Sequence, residues 1–272
     1  MAKDIIIGID AGTSILKVVA FTLNGKEIAS SSKKNIYKTS HGGQATQSLD
    51  TTWKNCIKII SELKNKINNF KDRVAIISVT GQGDGTWLID KKGKPVCDAW
   101  LWLDSRSSDI AKKLSKLNSE KLRFDLTGTG IFAGQQSSQI SYMNKNIPEI
   151  LDQSSTAFHC KDWIYFKLTN VRATDPSEAC FTFGNFRTRQ YDENVIDGLG
   201  LTKRKNLLPD IIDGSKVTHP LSDNVATLIG LNSGTPIALG YIDAVCTFLG
   251  SGGLDINKDV GNSILGTTGG HM

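Results

Sequence analysis

The sequence predicts an α/β fold, on three observations. Apolar runs of strand length occupy residues 4–10 and 74–79, helical periodicity runs through residues 51–70, and both strand-like runs end in glycine-containing polar loops. The first strand leads through Gly12-Thr13-Ser14 into a second at 17–23, closed by Asn24-Gly25, a strong short-range hairpin signal. In 51–70 the apolar residues Trp53, Cys56, Ile57, Ile60, Leu63, Ile67 and Phe70 share a helical face, with Asp50 placed as N-cap. The run 74–79 ends in Thr80-Gly81-Gln82-Gly83-Asp84-Gly85-Thr86, and a further strand is expected at 87–90. A buried strand that ends in a polar loop is where α/β proteins place ligands.

Residues 107–168 read as mainly helical, and the apolar runs 236–239 and 245–249 flank Gly240-Tyr241-Ile242-Asp243. Near the end, Ser263-Ile264-Leu265 reads as a strand entering Gly266-Thr267-Thr268-Gly269-Gly270, with no helix after it to complete the unit. The expectation is one domain over 1–262 and the start of a second, truncated one at 263–272.

Composition narrows the function classes. With 39% hydrophobic and 22% charged residues the 272-residue chain has the balance of a globular protein. Its net charge of +5 is spread along the chain, with only short runs such as Lys33-Lys34 and Lys203-Arg204-Lys205, so no basic stripe for nucleic acid is expected. The five cysteines are widely separated and lack metal-ligand or redox spacing, which fits reduced thiols in the cytoplasm. Neither a signal peptide nor an apolar run of membrane-spanning length is present in the sequence, and no membrane partner is expected.

Asp10-Ala11-Gly12-Thr13-Ser14 suits nucleotide phosphates: glycine lets backbone N–H groups approach, hydroxyls add donors, and the carboxylate can hold hydrated magnesium. The alternative is a hairpin whose Asp and Ser satisfy turn amides. Gly266-Thr267-Thr268 repeats the pattern, and two such hairpins facing each other could clamp a triphosphate. Asp243 opens an apolar helix, where a carboxylate is commonly an N-cap. It also suits a base, because hydroxyl phosphorylation calls for a carboxylate that aligns the alcohol and accepts its proton. Gln82, Gly83, Asp84, Trp102, Asp104 and Arg106 supply the amide, carboxylate, indole and guanidinium groups that read polyols. Against that, Trp100 and Trp102 also fit a core, and Asp104 with Arg106 a structural ion pair.

In order and spacing, Ile9-Asp10-Ala11-Gly12-Thr13-Ser14, Gly81-Gln82-Gly83-Asp84-Gly85, Trp102-Leu103-Asp104-Ser105-Arg106, Lys161-Asp162-Trp163-Ile164, Thr174-Asp175-Pro176-Ser177 and Gly240-Tyr241-Ile242-Asp243-Ala244 resemble the FGGY carbohydrate kinases. Residues 81–90 and 98–104 look most like the erythritol kinase and L-xylulose kinase branch. The resemblance implies an actin-like (ribonuclease H-like) ATPase domain, a mixed β-sheet flanked by helices, that binds a small sugar or polyol and closes over ATP with a C-terminal domain missing here. By that likeness Asp10 lies near Mg2+, Gly12, Thr13, Ser14, Lys17, Gly266 and Thr267 near the phosphates, and Asp243 is the general base. Gln82, Gly83, Asp84, Trp102, Asp104 and Asp243 read the substrate. Glycerol kinases carry arginine and glutamate where this chain has Gly83 and Asp84, which disfavours glycerol. The fragment alone is expected to be inactive, and a homodimer of the full-length chain is left open. The rival is a non-catalytic sugar-sensing or partner-binding module on the same fold.

Overall fold

The computed structural model of the protein describes residues 3–254, 257, 260–265 and 269–271. At its centre is a six-stranded sheet. Its strands are β1 (Ile5–Ala11), β2 (Ile15–Thr22), β3 (Glu27–Lys34), β4 (Val74–Gly81), β5 (Thr218–Pro220) and β6 (Pro236–Leu239), in the spatial order β5-β6-β4-β1-β2-β3. β1, β2 and β3 form an antiparallel meander, and β4 pairs parallel with both β1 and β6. The sheet is therefore mixed, and the carboxyl ends of β1, β4 and β6 lie side by side.

One face of the sheet is covered by α1 (Leu49–Lys64) and α2 (Cys160–Thr169), which meet where Trp163 Nε1 donates to Leu49 O at 2.9 Å. Period-2 alternation in β1 buries Ile5, Ile7 and Ile9 completely, and Cys56, Ile59, Ile60 and Leu63 of α1 close the same core. A second core gathers Leu88, Trp100, Ile140, Met143, Leu151 and Phe183 beneath the helices of the middle segment. The 107–168 segment is mainly helical, as the sequence implies, but it contains a short strand, Thr156–Phe158, paired with Trp87–Ile89.

Two local expectations change. The first helix is capped by Ser48, whose side chain accepts from Thr51 N, and Asp50 sits inside the first turn. That helix also ends at Lys64, and Phe70 opens a separate short helix, Phe70–Arg73, after Asn69 takes a left-handed conformation. The apolar spacing continues past the break because Ile67 and Phe70 still face the core. All five cysteines are unpaired. No helix among the described residues is long and apolar enough to cross a membrane.

Candidate active site

At the carboxyl ends of β1, β4 and β6 opens a cleft of about 620 Å³. Asp10, Gly12, Thr13 and Ser14 enter it from the β1–β2 turn, Gln82, Gly83 and Asp84 from the loop after β4, and Asp243 from the start of α4 (Asp243–Gly250) after β6. Trp102 also lines it, as do Ile15, Ile242, Ala244 and Thr247, which the sequence reading did not single out. This is the crevice where open α/β sheets hold ligands, because loops from adjacent parallel strands converge there while their backbones remain anchored in the sheet.

A ring of hydrogen bonds fixes the first two loops. Thr13 Oγ1 donates to Gln82 Oε1 at 2.9 Å and accepts from Trp102 Nε1 at 2.9 Å. Gln82 Nε2 donates to Gln47 Oε1 at 2.9 Å, and Gln47 Nε2 returns to Thr13 O at 3.2 Å. Both ends of the Gln82 amide are thus engaged within the protein, and the residue is only 2% exposed. Gln82 shapes the cleft from behind.

The loop after β4 is held in an uncommon conformation. Asp84 and Gly85 both have positive φ, 51° and 73°. Gly85 N donates to Gly134 O at 3.1 Å, and Asp84 N donates to Glu178 Oε2 at 3.2 Å. Gly83 has no room for a side chain: a Cβ there would lie 1.8 Å from Ile242 Cδ1. Ile242 fills that space and gives the cleft an apolar wall beside two carboxylates.

Those carboxylates resist ionisation. Burial pushes the Asp243 carboxyl up to about 6, against the Ala244 amide that it accepts from at 2.7 Å, and the Asp10 charge adds to the rise. Burial likewise lifts Asp84 to about 6, opposed by His159. Asp10 is raised by desolvation and pulled back by Lys17, its cross-strand neighbour on β2. Neither Asp10 nor Asp243 forms a salt bridge among the described residues. Two unpaired carboxylates at one crevice fit magnesium held mainly through phosphate oxygens and water. No group of three or more His, Cys, Asp or Glu able to hold a metal occurs among the described residues.

Behind the cleft runs a buried chain of charges. Lys161 Nζ lies 2.7 Å from Asp162 Oδ1 and 2.5 Å from Asp175 Oδ1, all three with fully buried side chains. Burial works against the Lys161 charge, but Asp162, Asp175 and Glu178 outweigh it and raise its pKa. The Asp162 carboxyl also bonds His159, whose Nδ1 lies 3.1 Å away, and despite burial it is held down at about 2, chiefly by Lys161.

Most of the expected site residues meet around this cleft, with exceptions. Asp104 does not line it: at 1% exposure it accepts from Ala45 N at 2.9 Å and pairs with Arg106 Nη2 at 2.7 Å. The ion-pair reading holds for Asp104, whose buried charge needs that partner. Trp100 is core, with the Arg106 guanidinium 3.3 Å over its ring. Lys17 is exposed next to Asp10, outside the cleft lining. Asp243 is the first residue of α4, with Ile242 in the N-cap position. Gly266 and Thr267 lie outside the described residues, although the strands flanking them, Ser263–Leu265 and Gly269–His271, pair antiparallel, and Ile264 and Gly270 reach the cleft.

The family model described as "FGGY family of carbohydrate kinases, N-terminal domain" matches residues 5–250. Erythritol kinase of Brucella abortus (strain 2308) is 52% identical over 269 residues, which is 99% of this chain and 52% of that protein. The L-xylulose/3-keto-L-gulonate kinase of Escherichia coli (strain K12) is 25% identical over 262 residues, covering 96% of this chain and 52% of its own length. Among solved structures, ligand-bound xylulose kinase from Lactobacillus acidophilus superposes with a TM-score of 0.83 at 25% identity, over 92% of this chain and 50% of that one. The chain spans about half the length of the curated relatives it matches. The fold is that of the actin-like ATPases, and the branch resemblance to erythritol and L-xylulose kinases agrees with these relatives. Likeness of this extent, over a mixed sheet with its cleft at three parallel strand ends, places the chain in the FGGY family of carbohydrate kinases, as an N-terminal domain.

Proposed function

We propose that the full-length protein transfers the terminal phosphoryl group of ATP to a hydroxyl of a four- or five-carbon polyol or ketose, with erythritol the first candidate. The observation that carries the reading is Asp243, a carboxylate without an ion-pair partner among the described residues, lining a cleft it shares with Asp10 and the Gly12-Thr13-Ser14 turn. A base with a pKa of about 6 is ionised at neutral pH yet basic enough to accept a proton as the hydroxyl attacks. The acceptor is read by Asp84 and by the apolar Ile242 and indole walls, and Asp243 aligns the attacking hydroxyl and receives its proton. The β1–β2 turn offers N–H and hydroxyl donors to the phosphates, with Lys17 beside it. Asp10 would hold magnesium, which supplies charge neutralisation to the transferring phosphoryl group. Positioning then accounts for much of the rate.

The missing partner in this reading is the C-terminal domain, with the boundary near residue 262 and the second phosphate loop at Gly266-Thr267. Ala244, Val245, Cys246, Phe248 and Leu249 make α4 apolar, yet none of its residues is buried, which suits a helix that a second domain covers. The protein would act in the cytoplasm, where ATP and reduced thiols coexist. The test is a coupled ADP-release assay on full-length protein with Mg-ATP and a panel of erythritol, L-xylulose, D-xylulose, ribulose, glycerol and hexoses. Turnover with a four- or five-carbon compound supports the reading, and silence from folded protein overturns it in favour of a sensor.

A further inference from the structure

The first turn of α3 (Pro176–Phe183) touches both loops that meet in the cleft, through consecutive residues. Ser177 Oγ accepts from Ile242 N at 3.0 Å, one residue before Asp243. Glu178 Oε2 accepts from Asp84 N at 3.2 Å, and its Oε1 lies 3.2 Å from where a Cβ on Gly83 would sit. We propose that Ser177 and Glu178 are positioning residues that set the acceptor-reading loop and the Asp243 loop at their working separation, each through one backbone amide. The inference rests on the kinase reading for its consequence, though not for its geometry.

The helix that carries the pair is immobilised from behind. Asp175 caps it by accepting from Ser177 N at 2.7 Å, and the same carboxylate is held by Lys161, buried in α2. Residues 177 and 178 therefore inherit a fixed origin from the core, while the two loops they hold come from different strands, β4 and β6. Asp84 is non-glycine in the left-handed region, a conformation that persists only where neighbours over-determine it. Its amide bond to Glu178 supplies one such constraint.

Glu178 also carries more than a neutral acceptor's role requires. It is 1% exposed, and its Oε1 and the facing His159 Nε2 have no hydrogen-bond partner among the described residues, while His159 Nε2 lies 3.6 Å from Glu178 Oε2. The charged and titratable groups around it are His159, Lys161, Asp84 and Asp175, with Asp162 locking the other side of the imidazole. Burial first, then the Asp84 and Asp175 charges, push its carboxyl up to about 8, against the pull of His159 and Lys161. Glu178 and Asp84 thus compete for charge behind the acceptor loop, so the protonation of one influences the other.

The experiment uses full-length protein and the variants Ser177→Ala, Glu178→Ala and Glu178→Gln, with Lys38→Ala as a surface control. Steady-state kinetics would be measured for acceptor and for ATP, and hydrogen–deuterium exchange for residues 82–85 and 240–243. Glu178→Ala is expected to raise the acceptor KM about 10-fold with ATP KM unchanged, and Ser177→Ala to lower kcat by a similar factor, each the scale of one lost buried hydrogen bond. Exchange at 82–85 should quicken in Glu178→Ala and stay near wild type in Glu178→Gln, which keeps an acceptor for the Asp84 amide. Unchanged exchange at both loops, or equal changes in every kinetic constant, overturns the proposal. A wild type with no turnover would sink the kinase reading while leaving the exchange result to decide the positioning role.

Discussion

Trp102 Nε1 donates to Thr13 Oγ1 at 2.9 Å, tying the wall of the cleft to the turn that follows β1. The same hydroxyl donates to Gln82, so one side chain links three segments far apart in sequence. Thr13→Val keeps the shape but leaves the indole N–H and the Gln82 carbonyl without this partner. It should cost about 1–3 kcal/mol, measured by urea unfolding of the full chain, and a variant as stable as wild type would show that water replaces the link.

Lys161 is the only cation within ion-pair distance of the buried Asp162 and Asp175 apart from His159 on Asp162, among the described residues. Lys161→Met removes the charge while filling the volume, leaving carboxylates buried with poor compensation. A loss of about 3–5 kcal/mol is expected. Chemical denaturation reads it directly, and a loss under about 1 kcal/mol would mean that the two aspartates take up protons at little cost.

Gly83 and Ile242 compete for one volume. Gly83→Ala would place a methyl 1.8 Å from Ile242 Cδ1, so the isoleucine must move. Overpacking of this kind costs about 1–3 kcal/mol. Ile242→Ala in the same protein should restore much of it, and a double-mutant cycle that shows no coupling would disprove the contact.

Native Glu178 binds its proton up to about pH 8, whereas its unperturbed value is 4.5. The folded state therefore holds more protons than the unfolded one between those values, and this residue's contribution to stability falls as pH rises through that window. His159, whose pKa is also raised, acts in the same direction. Melting temperatures across pH 5 to 8.5 should fall less steeply in Glu178→Gln than in wild type, and parallel curves would show that Glu178 titrates normally.

Local signals in the sequence reach the structure, and contacts between distant segments do not. The apolar run at 4–10 and the hairpin signal after 17–23 placed β1 and β2 within two residues of their observed ends, and Asn24-Gly25 forms the expected turn, Gly25 at φ 84°. The loops after β1, β4 and β6 were legible as candidate ligand loops because each follows an apolar strand. Asp104 was misplaced because a carboxylate near an arginine reads alike as a binding pair or a structural one until burial is known. Ile242 and Glu178 were missed for a different reason. Their roles depend on contacts between segments, Gly83 with Ile242 and Asp84 with α3, that no spacing along the chain encodes. The Thr174-Asp175-Pro176-Ser177 block carries a family likeness, and Asp175 followed by proline is a helix-start signal, but nothing local in the sequence encodes which loops its first turn holds.

The pH profile follows from Asp243. With its carboxyl at about 6, the ionised form that accepts a proton is lost below that value. The kcat/KM for the acceptor, which reports the free enzyme, should fall about tenfold per pH unit on the acid side. A profile flat from pH 7 down to 4.5 would remove Asp243 from proton acceptance.

The most direct measurement of the central claim is turnover of full-length wild type and Asp243→Asn with Mg-ATP and erythritol, alongside calorimetric binding of the acceptor. With Asp243 as the base, wild type turns over and the variant loses about 10²–10⁴-fold, with acceptor binding retained. An Asp243→Asn enzyme that turns over within a few-fold of wild type would contradict it.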